Sequence, residues 1–210
     1  MANVLRFPQD DIPEIPLSKR GRKLPHFLAK QESDQLTAWC VSEAARTDFC
    51  PTWLHAAKLD LMIVQLGLLM GLRNSEICGL DIEDVNLLEG SALIHGKGRK
   101  DRYAPIPTKL SPQFLPWIGD RQNGPVLYSS RSLRLSDRSV YWRVSRAGMM
   151  AGLRKPLFPH ALRHTFATQL LQAGADIREV QELLGHASLA TTQIYLHCCP
   201  KRLRSVIEKL

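Results

Sequence analysis

Pro159-His160-Ala161-Leu162-Arg163-His164-Thr165-Phe166-Ala167-Thr168-Gln169-Leu170 decides the reading of this chain. Proline is favoured in the first turn of a helix, and Leu162, Phe166 and Leu170 then recur at i, i+4 and i+8 on one core face. His160 and Arg163 share a neighbouring face. Gly174 stops the helix. Asp176 with Glu179 forms a capping-box pattern for the next helix, whose apolar positions are Ile177, Val180, Leu183 and Leu184. Gly185 ends that helix and presents His186. Ser188 is placed to cap a third helix carrying Tyr195. Pro200 opens a last one with Leu203, Val206, Ile207 and Leu210 at i, i+3, i+4 and i+7, a stripe that must cover its own domain or a neighbouring subunit.

Upstream, helical patterning runs over 33–47 and 53–71, with a short helix after Asn74. The apolar run 59–72 contains Asp60 and Gln65, is too short and interrupted to span a bilayer, and reads as a buried helix. The period then changes. Ala92-Leu93-Ile94-His95 and Arg102-Tyr103-Ala104-Pro105-Ile106 flank Gly96-Lys97-Gly98-Arg99-Lys100-Asp101, which predicts a β-hairpin with a basic tip. Val126-Leu127-Tyr128 is a candidate third strand, and 136–152 a helix carrying Arg138, Arg143 and Arg146. The fold class is therefore mainly α with a small antiparallel β-sheet (α+β). Residues 1–25 are rich in proline and charge, include Lys19, Arg20, Arg22 and Lys23, and read as a basic arm ahead of one domain over 26–210.

The 210 residues suffice to bury a core, and their net charge of +8 favours an acidic partner, nucleic acid being the commonest. The five cysteines are odd in number and form no CxxC pair, so neither a zinc ribbon nor a disulfide framework is indicated; a reducing, cytoplasmic compartment is expected. No apolar signal core stands at the N-terminus, and no membrane partner is expected.

Cleaving a phosphodiester without a metal requires a nucleophile, cations for the non-bridging oxygens, a proton donor for the leaving oxygen, and a group to manage the nucleophile's proton. Tyr195 is the candidate nucleophile. Arg73 and Arg163 are candidate bidentate clamps. Lys97 is a candidate donor on the hairpin tip, and His160 and His186 are candidates for moving protons.

Gly71-Leu72-Arg73-Asn74-Ser75-Glu76-Ile77-Cys78-Gly79-Leu80, Gly96-Lys97-Gly98, His160-Ala161-Leu162-Arg163, Leu184-Gly185-His186 and Thr191-Thr192-Gln193-Ile194-Tyr195 follow one another in the order and spacing of a known set. They resemble the tyrosine recombinases, or phage-integrase family, with wording nearest its Xer-type, integron and phage branches. The resemblance runs from about residue 30 to the C-terminus and implies the integrase catalytic-domain fold. It implies that Tyr195 attacks the scissile phosphate to give a 3′-phosphotyrosyl bond and that Lys97 protonates the departing 5′-hydroxyl. It implies that Arg73, Arg163 and His186 stabilise the phosphorane, that His160 transfers protons with Tyr195, and that Glu76 orients Arg73 and His160. It implies no cofactor and no catalytic metal, and site-specific recombination that integrates, excises or inverts a mobile DNA element. Its implied partners are double-stranded DNA, a tetramer on that DNA with the C-terminal helix exchanged between protomers, and an accessory protein or partner recombinase. The expected setting is the cytoplasm, in association with the nucleoid. Lys19, Arg20, Arg22, Lys23, Arg99, Lys100, Arg138, Arg143 and Arg146 are the candidate DNA contacts.

Members of that family carry an N-terminal helical clamp, for which the residues before 26 are too few. Either a minimal recombinase or a catalytic domain with a partner clamp is expected. Three rival readings meet the same residues. A metal hydrolase would use His160, His164 and His186, but no glutamate separates the first two and Arg163 would repel a cation. A non-catalytic DNA-binding regulator built on the same fold leaves Tyr195 without a task. A type IB-like topoisomerase shares the chemistry without pairing sites.

Overall fold

The computed structural model describes residues 27–48, 50–96, 101–185 and 207–208. α1 (Lys30–Ala44) starts before the expected 33–47 span because the Glu32 carboxylate accepts the Ala29 N–H at 2.9 Å and so caps the first turn. α2 (Pro51–Met70) contains the apolar run and is the spine of the domain. It is long and apolar enough to cross a membrane by length and composition, but most of it is enclosed by the rest of the protein, as a core helix would be. Gly71 ends it in the left-handed conformation (φ 62°), which glycine adopts without a Cβ clash.

α3 (Asn74–Gly79) follows at once, and a three-stranded antiparallel sheet comes next, in the order β1 (Val85–Asn86), β2 (Ser91–Ile94), β3 (Arg102–Pro105). β2 and β3 form the expected hairpin, with Ala92 opposite Ala104 and Ile94 opposite Arg102. The expected strand at Val126-Leu127-Tyr128 is not in the sheet; β1 takes the third place. Val126 and Leu127 are buried, but their segment is held otherwise. The Val126 N–H donates to Leu80 O, and the Trp117 indole donates to Val126 O at 2.7 Å. Burial without a ladder produces the same apolar run as a strand.

The proline-rich segment 111–118 carries no helical expectation, yet forms α4 (Ser111–Ile118). Pro112 stands in its first turn, where proline is tolerated, and Phe114 and Trp117 are buried at i, i+3, so packing overrides the poor propensity of Pro116. α5 (Asp137–Met150) is capped by Ser136, whose hydroxyl accepts the Ser139 N–H. α6 (Pro159–Gln172) and α7 (Ile177–Leu184) match the expected pattern closely. Asp176 accepts the Arg178 N–H and Glu179 returns to the Asp176 N–H, the capping box read from sequence.

The main core joins α1, α2, α5 and the start of α6 to the buried face of the sheet. A second cluster sits between α6 and α7, where Phe166, Leu170, Val180, Leu183 and Leu184 enclose Ile207, which is 1% exposed. The C-terminal stripe thus touches its own domain at Ile207. Glu208 beside it accepts from the Thr108 N–H and hydroxyl. The arm over 1–25 and the helix expected to carry Tyr195 lie outside the described residues.

Candidate active site

The site grows from the junction of α2 and α3. The Gly71 turn releases Arg73 at the N-cap of α3, and Glu76 is three residues on. That spacing lets one carboxylate do two jobs. Glu76 Oε2 accepts the Arg73 backbone N–H at 2.8 Å, closing the helix end, while Oε1 accepts Arg73 Nη1 at 2.6 Å. Glu76 is only 3% exposed. Two further arginines come to it from distant segments. Arg102, at the start of β3, forks onto both oxygens at 2.8 and 2.9 Å. Arg163, from the second turn of α6, stands with Nη1 at 3.7 Å from Oε2.

The same three arginines close the end of α7. Arg102 Nε donates to Leu183 O at 3.2 Å, Arg163 Nη2 to Leu184 O at 2.5 Å, and Arg73 Nη2 to Gly185 O at 3.2 Å. Three successive carbonyls at the negative end of a helix therefore each receive a guanidinium. Arg163 Nη1 also donates to Gly71 O at 2.6 Å, which ties the start of the site to its end.

Three guanidinium charges against one carboxylate leave two positive charges in a small volume. Burial raises the cost of ionising Glu76, but the Arg102 fork and charge, followed by Arg73, outweigh it and hold its pKa at about 2. Burial, reinforced by the nearby Arg73 charge, brings Arg163 down to about 10, still protonated at neutral pH. Arg73 is the most open of the three, with 37% of its side chain exposed against 12% for Arg102 and 9% for Arg163. An accessible guanidinium backed by surplus positive charge is built to receive an anion, and its planar fork suits two phosphate oxygens.

His160 lies exposed in the first turn of α6, three positions before Arg163. His164 is one turn further along; burial, with His160 and Arg163 nearby, lowers its pKa. The expected contact from Glu76 to His160 is not made among the described residues, because arginines take both carboxylate oxygens. Lys97, Arg99, Lys100, His186, Tyr195, Lys19, Arg20, Arg22 and Lys23 lie outside the described residues. The segments that carry Lys97 and His186 leave the described structure beside the cluster, from the β2–β3 hairpin and from Gly185.

Of the expected DNA-facing arginines on α5, only Arg138 is exposed. Arg143 and Arg146 turn inward onto Asp60 of α2, at 2.6 and 2.5 Å. A carboxylate buried in the spine of the domain needs cationic partners, and these two supply them.

Arg102 is the member of the cluster that sequence reasoning missed. The signal was present: Arg102 shares its strand face with Ala104 and Ile106, both buried, whereas Tyr103 points out. A cation on the inward register of a strand demands a buried acid, and Glu76 is that acid.

Comparison with known proteins agrees with this geometry. The model of the phage integrase family matches residues 26–202. A "Tyrosine recombinase XerC" of Thermodesulfovibrio yellowstonii is 38% identical over 91% of this chain and 64% of the relative. The crystal structure of the XerA recombinase superposes with a TM-score of 0.67 at 31% identity, covering 89% of this chain and 64% of that one. The XerH site-specific recombinase in a pre-cleavage complex with its difH substrate gives a TM-score of 0.67 at 29% identity, over 88% of this chain and 54% of that one. The chain thus spans a little under two thirds of the length of the first of these relatives. With the family model covering most of its length and the arginine motifs standing on the matching fold, the chain belongs to the phage integrase family.

Proposed function

We propose that this chain is the catalytic part of a site-specific tyrosine recombinase, which cuts and rejoins double-stranded DNA through a 3′-phosphotyrosyl bond. The observation that carries the reading is the three-arginine cluster on Glu76, with its surplus positive charge and its open member, Arg73. In this reading a scissile phosphate binds against Arg73 and Arg163. The guanidinium donors meet the charge that builds on the non-bridging oxygens as the phosphorane forms. Tyr195 attacks phosphorus, the P–O5′ bond breaks, and the 5′-oxygen takes a proton from Lys97. His160 and His186 handle the tyrosine proton and the equatorial oxygens. The reverse attack by a 5′-hydroxyl restores the backbone, so the energy of the broken bond is kept in the phosphotyrosine. The relatives named as recombinases, and the XerH complex with its substrate, support DNA as the partner.

The same reading extends to a tetramer on DNA in which the C-terminal segment passes to a neighbouring protomer, to an accessory protein or partner recombinase, and to action at the nucleoid. Ile207 sits between α6 and α7 of its own domain, and in an exchange a neighbour's stripe would take that same seat. Deleting residues 200–210 is then expected to weaken assembly on DNA while the domain still folds.

The test of the reaction is covalent trapping in the native host with tagged wild-type and Tyr195→Phe protein, followed by sequencing of attached DNA. DNA attached to the wild type alone is the expected result and also reveals the site. DNA attached to neither, with ordinary non-covalent binding intact, would overturn strand cleavage in favour of a regulator on the same fold.

A further inference from the structure

Arg102 has no part in the chemistry set out above, yet it is the hub of the cluster. Each of its three nitrogens donates: Nε to Leu183 O, and Nη1 and Nη2 to the two oxygens of Glu76. Arg73 reaches that carboxylate through one side-chain nitrogen, Nη1. A fork fixes the plane of a carboxylate as well as its position, and the plane of Glu76 sets where Arg73 Nη1 rests.

The stem of Arg102 makes a second, independent contact. Gly185 ends α7 with φ 62°, and a Cβ there would stand 2.8 Å from Arg102 Cδ and 3.1 Å from Nε. The side chain is therefore laid against the backbone at the point where the chain turns towards His186. At its own backbone Arg102 is paired with Ile94 across the hairpin, five residues after Lys97. One side chain thus bridges three segments: the hairpin that bears Lys97, the helix start that bears Arg73, and the helix end that leads to His186. It is 12% exposed, and each of its nitrogens already donates to a protein acceptor.

We propose that Arg102 is the positioning residue of this site, holding Arg73, the hairpin and the end of α7 in mutual register through Glu76, Leu183 O and Gly185. Its consequence for activity rests on the strand-cleavage reading; its consequence for local structure does not. Lysine keeps the charge but offers a single ammonium, which cannot fork onto Glu76 and reach Leu183 O together. Arg102→Lys and Arg102→Gln are therefore both expected to fail, which separates placement from charge.

The experiment has two arms on the full chain. In the host, trapped covalent DNA is compared with formaldehyde-crosslinked occupancy at the same sites. Both variants are expected to lose covalent DNA by about 10²-fold, the scale of a small misplacement of reacting groups, with occupancy close to wild type. On the purified protein without DNA, amide hydrogen exchange is read at Leu184 and Gly185 against the amides of α2. Exchange at the end of α7 is expected to quicken by about tenfold while α2 stays protected. Wild-type levels of adduct with Arg102→Lys would overturn placement in favour of simple charge. Unchanged exchange at Gly185, or faster exchange throughout α2, would overturn the local role. If the wild type itself gives no adduct, the strand-cleavage reading falls, and the exchange arm still decides the positioning role.

Discussion

Asp60 and Glu76 are buried alike, with 1% and 3% of their side chains exposed, and each is gripped by arginines. The surroundings differ. Asp60 joins two elements only, α2 and α5, through Arg143 and Arg146, which are 17% and 16% exposed. Arg143 also donates to Ala56 O, and Arg146 lies near the rings of Trp53 and Trp142. That cluster is closed: its cations face an acid, a carbonyl and aromatic walls. Glu76 gathers α3, β3 and α6, and its arginines cap α7, while Arg73 stays open. Similar chemistry makes a rivet in one place and an anion site in the other. The difference lies in how many charges remain unbalanced and whether any of them meets solvent.

The largest test of this contrast is on catalysis. Arg73→Ala is expected to lower trapped covalent DNA by about 10²–10³-fold, the cost of removing a group that stabilises developing charge. Arg143→Ala is expected to leave adduct per folded molecule near wild type, although it removes the same functional group. The measurement is covalent trapping normalised to soluble folded protein. Equal losses in the two variants would break the distinction between rivet and site.

Stability sharpens the comparison from the other side. Asp60→Asn leaves two buried guanidinium groups without their counter-charge and is expected to cost about 3–5 kcal/mol in denaturant unfolding. Glu76→Gln is expected to lose a similar amount of stability and most of the adduct as well. The pH dependence follows from the pKa of Glu76, held at about 2 against an ordinary 4.5. A depressed carboxylate contributes stability that is fully present above 4.5 and disappears as pH falls towards 2. The amount at stake is on the order of 3 kcal/mol. Glu76→Gln should flatten this acid limb, whereas a limb of wild-type steepness in the variant would assign it to other carboxylates.

Much of the site was legible because its residues lie on regular elements with strong local signals. The α6 pattern, the Asp176–Glu179 capping box and the glycine stops at 71 and 185 follow from short-range rules, and each stands where it was expected. Arg73 and Arg163 were singled out by their place in the arginine motifs of the resemblance, and the fold brings both to Glu76. What sequence could not reveal was long-range pairing. The partner of Asp60 is more than eighty residues away, so Arg143 and Arg146 read as surface charges on a basic helix. Arg102 was read only as a strand residue, because its acid lies on another element. The run at Val126 was read as a strand of the sheet because it is buried, whereas it pairs only through isolated bridges, Asp81 with Pro125 and Tyr128 with Arg134.

The smallest expected effect lies at the neck of the hairpin, where a third charged cluster has the opposite balance: one histidine between two acids. His95 Nδ1 faces Asp101 Oδ2 at 3.1 Å and Nε2 faces Asp84 Oδ1 at 3.0 Å. Two carboxylates accept from one ring only if both nitrogens carry protons, which is the imidazolium form. The hydrogen bonds that the ring donates to Asp101 and then to Asp84 accordingly raise the pKa of His95 above 6.5. A raised histidine stabilises fully below its unfolded value and loses that contribution as pH rises through the folded one. The ring is more than half exposed, so solvent screens the pair and global stability should hardly respond. The response should instead be local. An NMR titration of the His95 ring is expected to show the raised midpoint, and Asp101→Asn is expected to bring it down. Asp101 Oδ1 also accepts the Gly96 N–H, so deprotonation of His95 weakens one of two ties across the base of the Lys97 tip while the other stays in place. A midpoint at or below 6.5 would show that His95 does not help to hold the neck, which is then left to the strand ladder and the Gly96–Asp101 hydrogen bond. The carboxylate clusters that matter to this chain would then be the two buried ones.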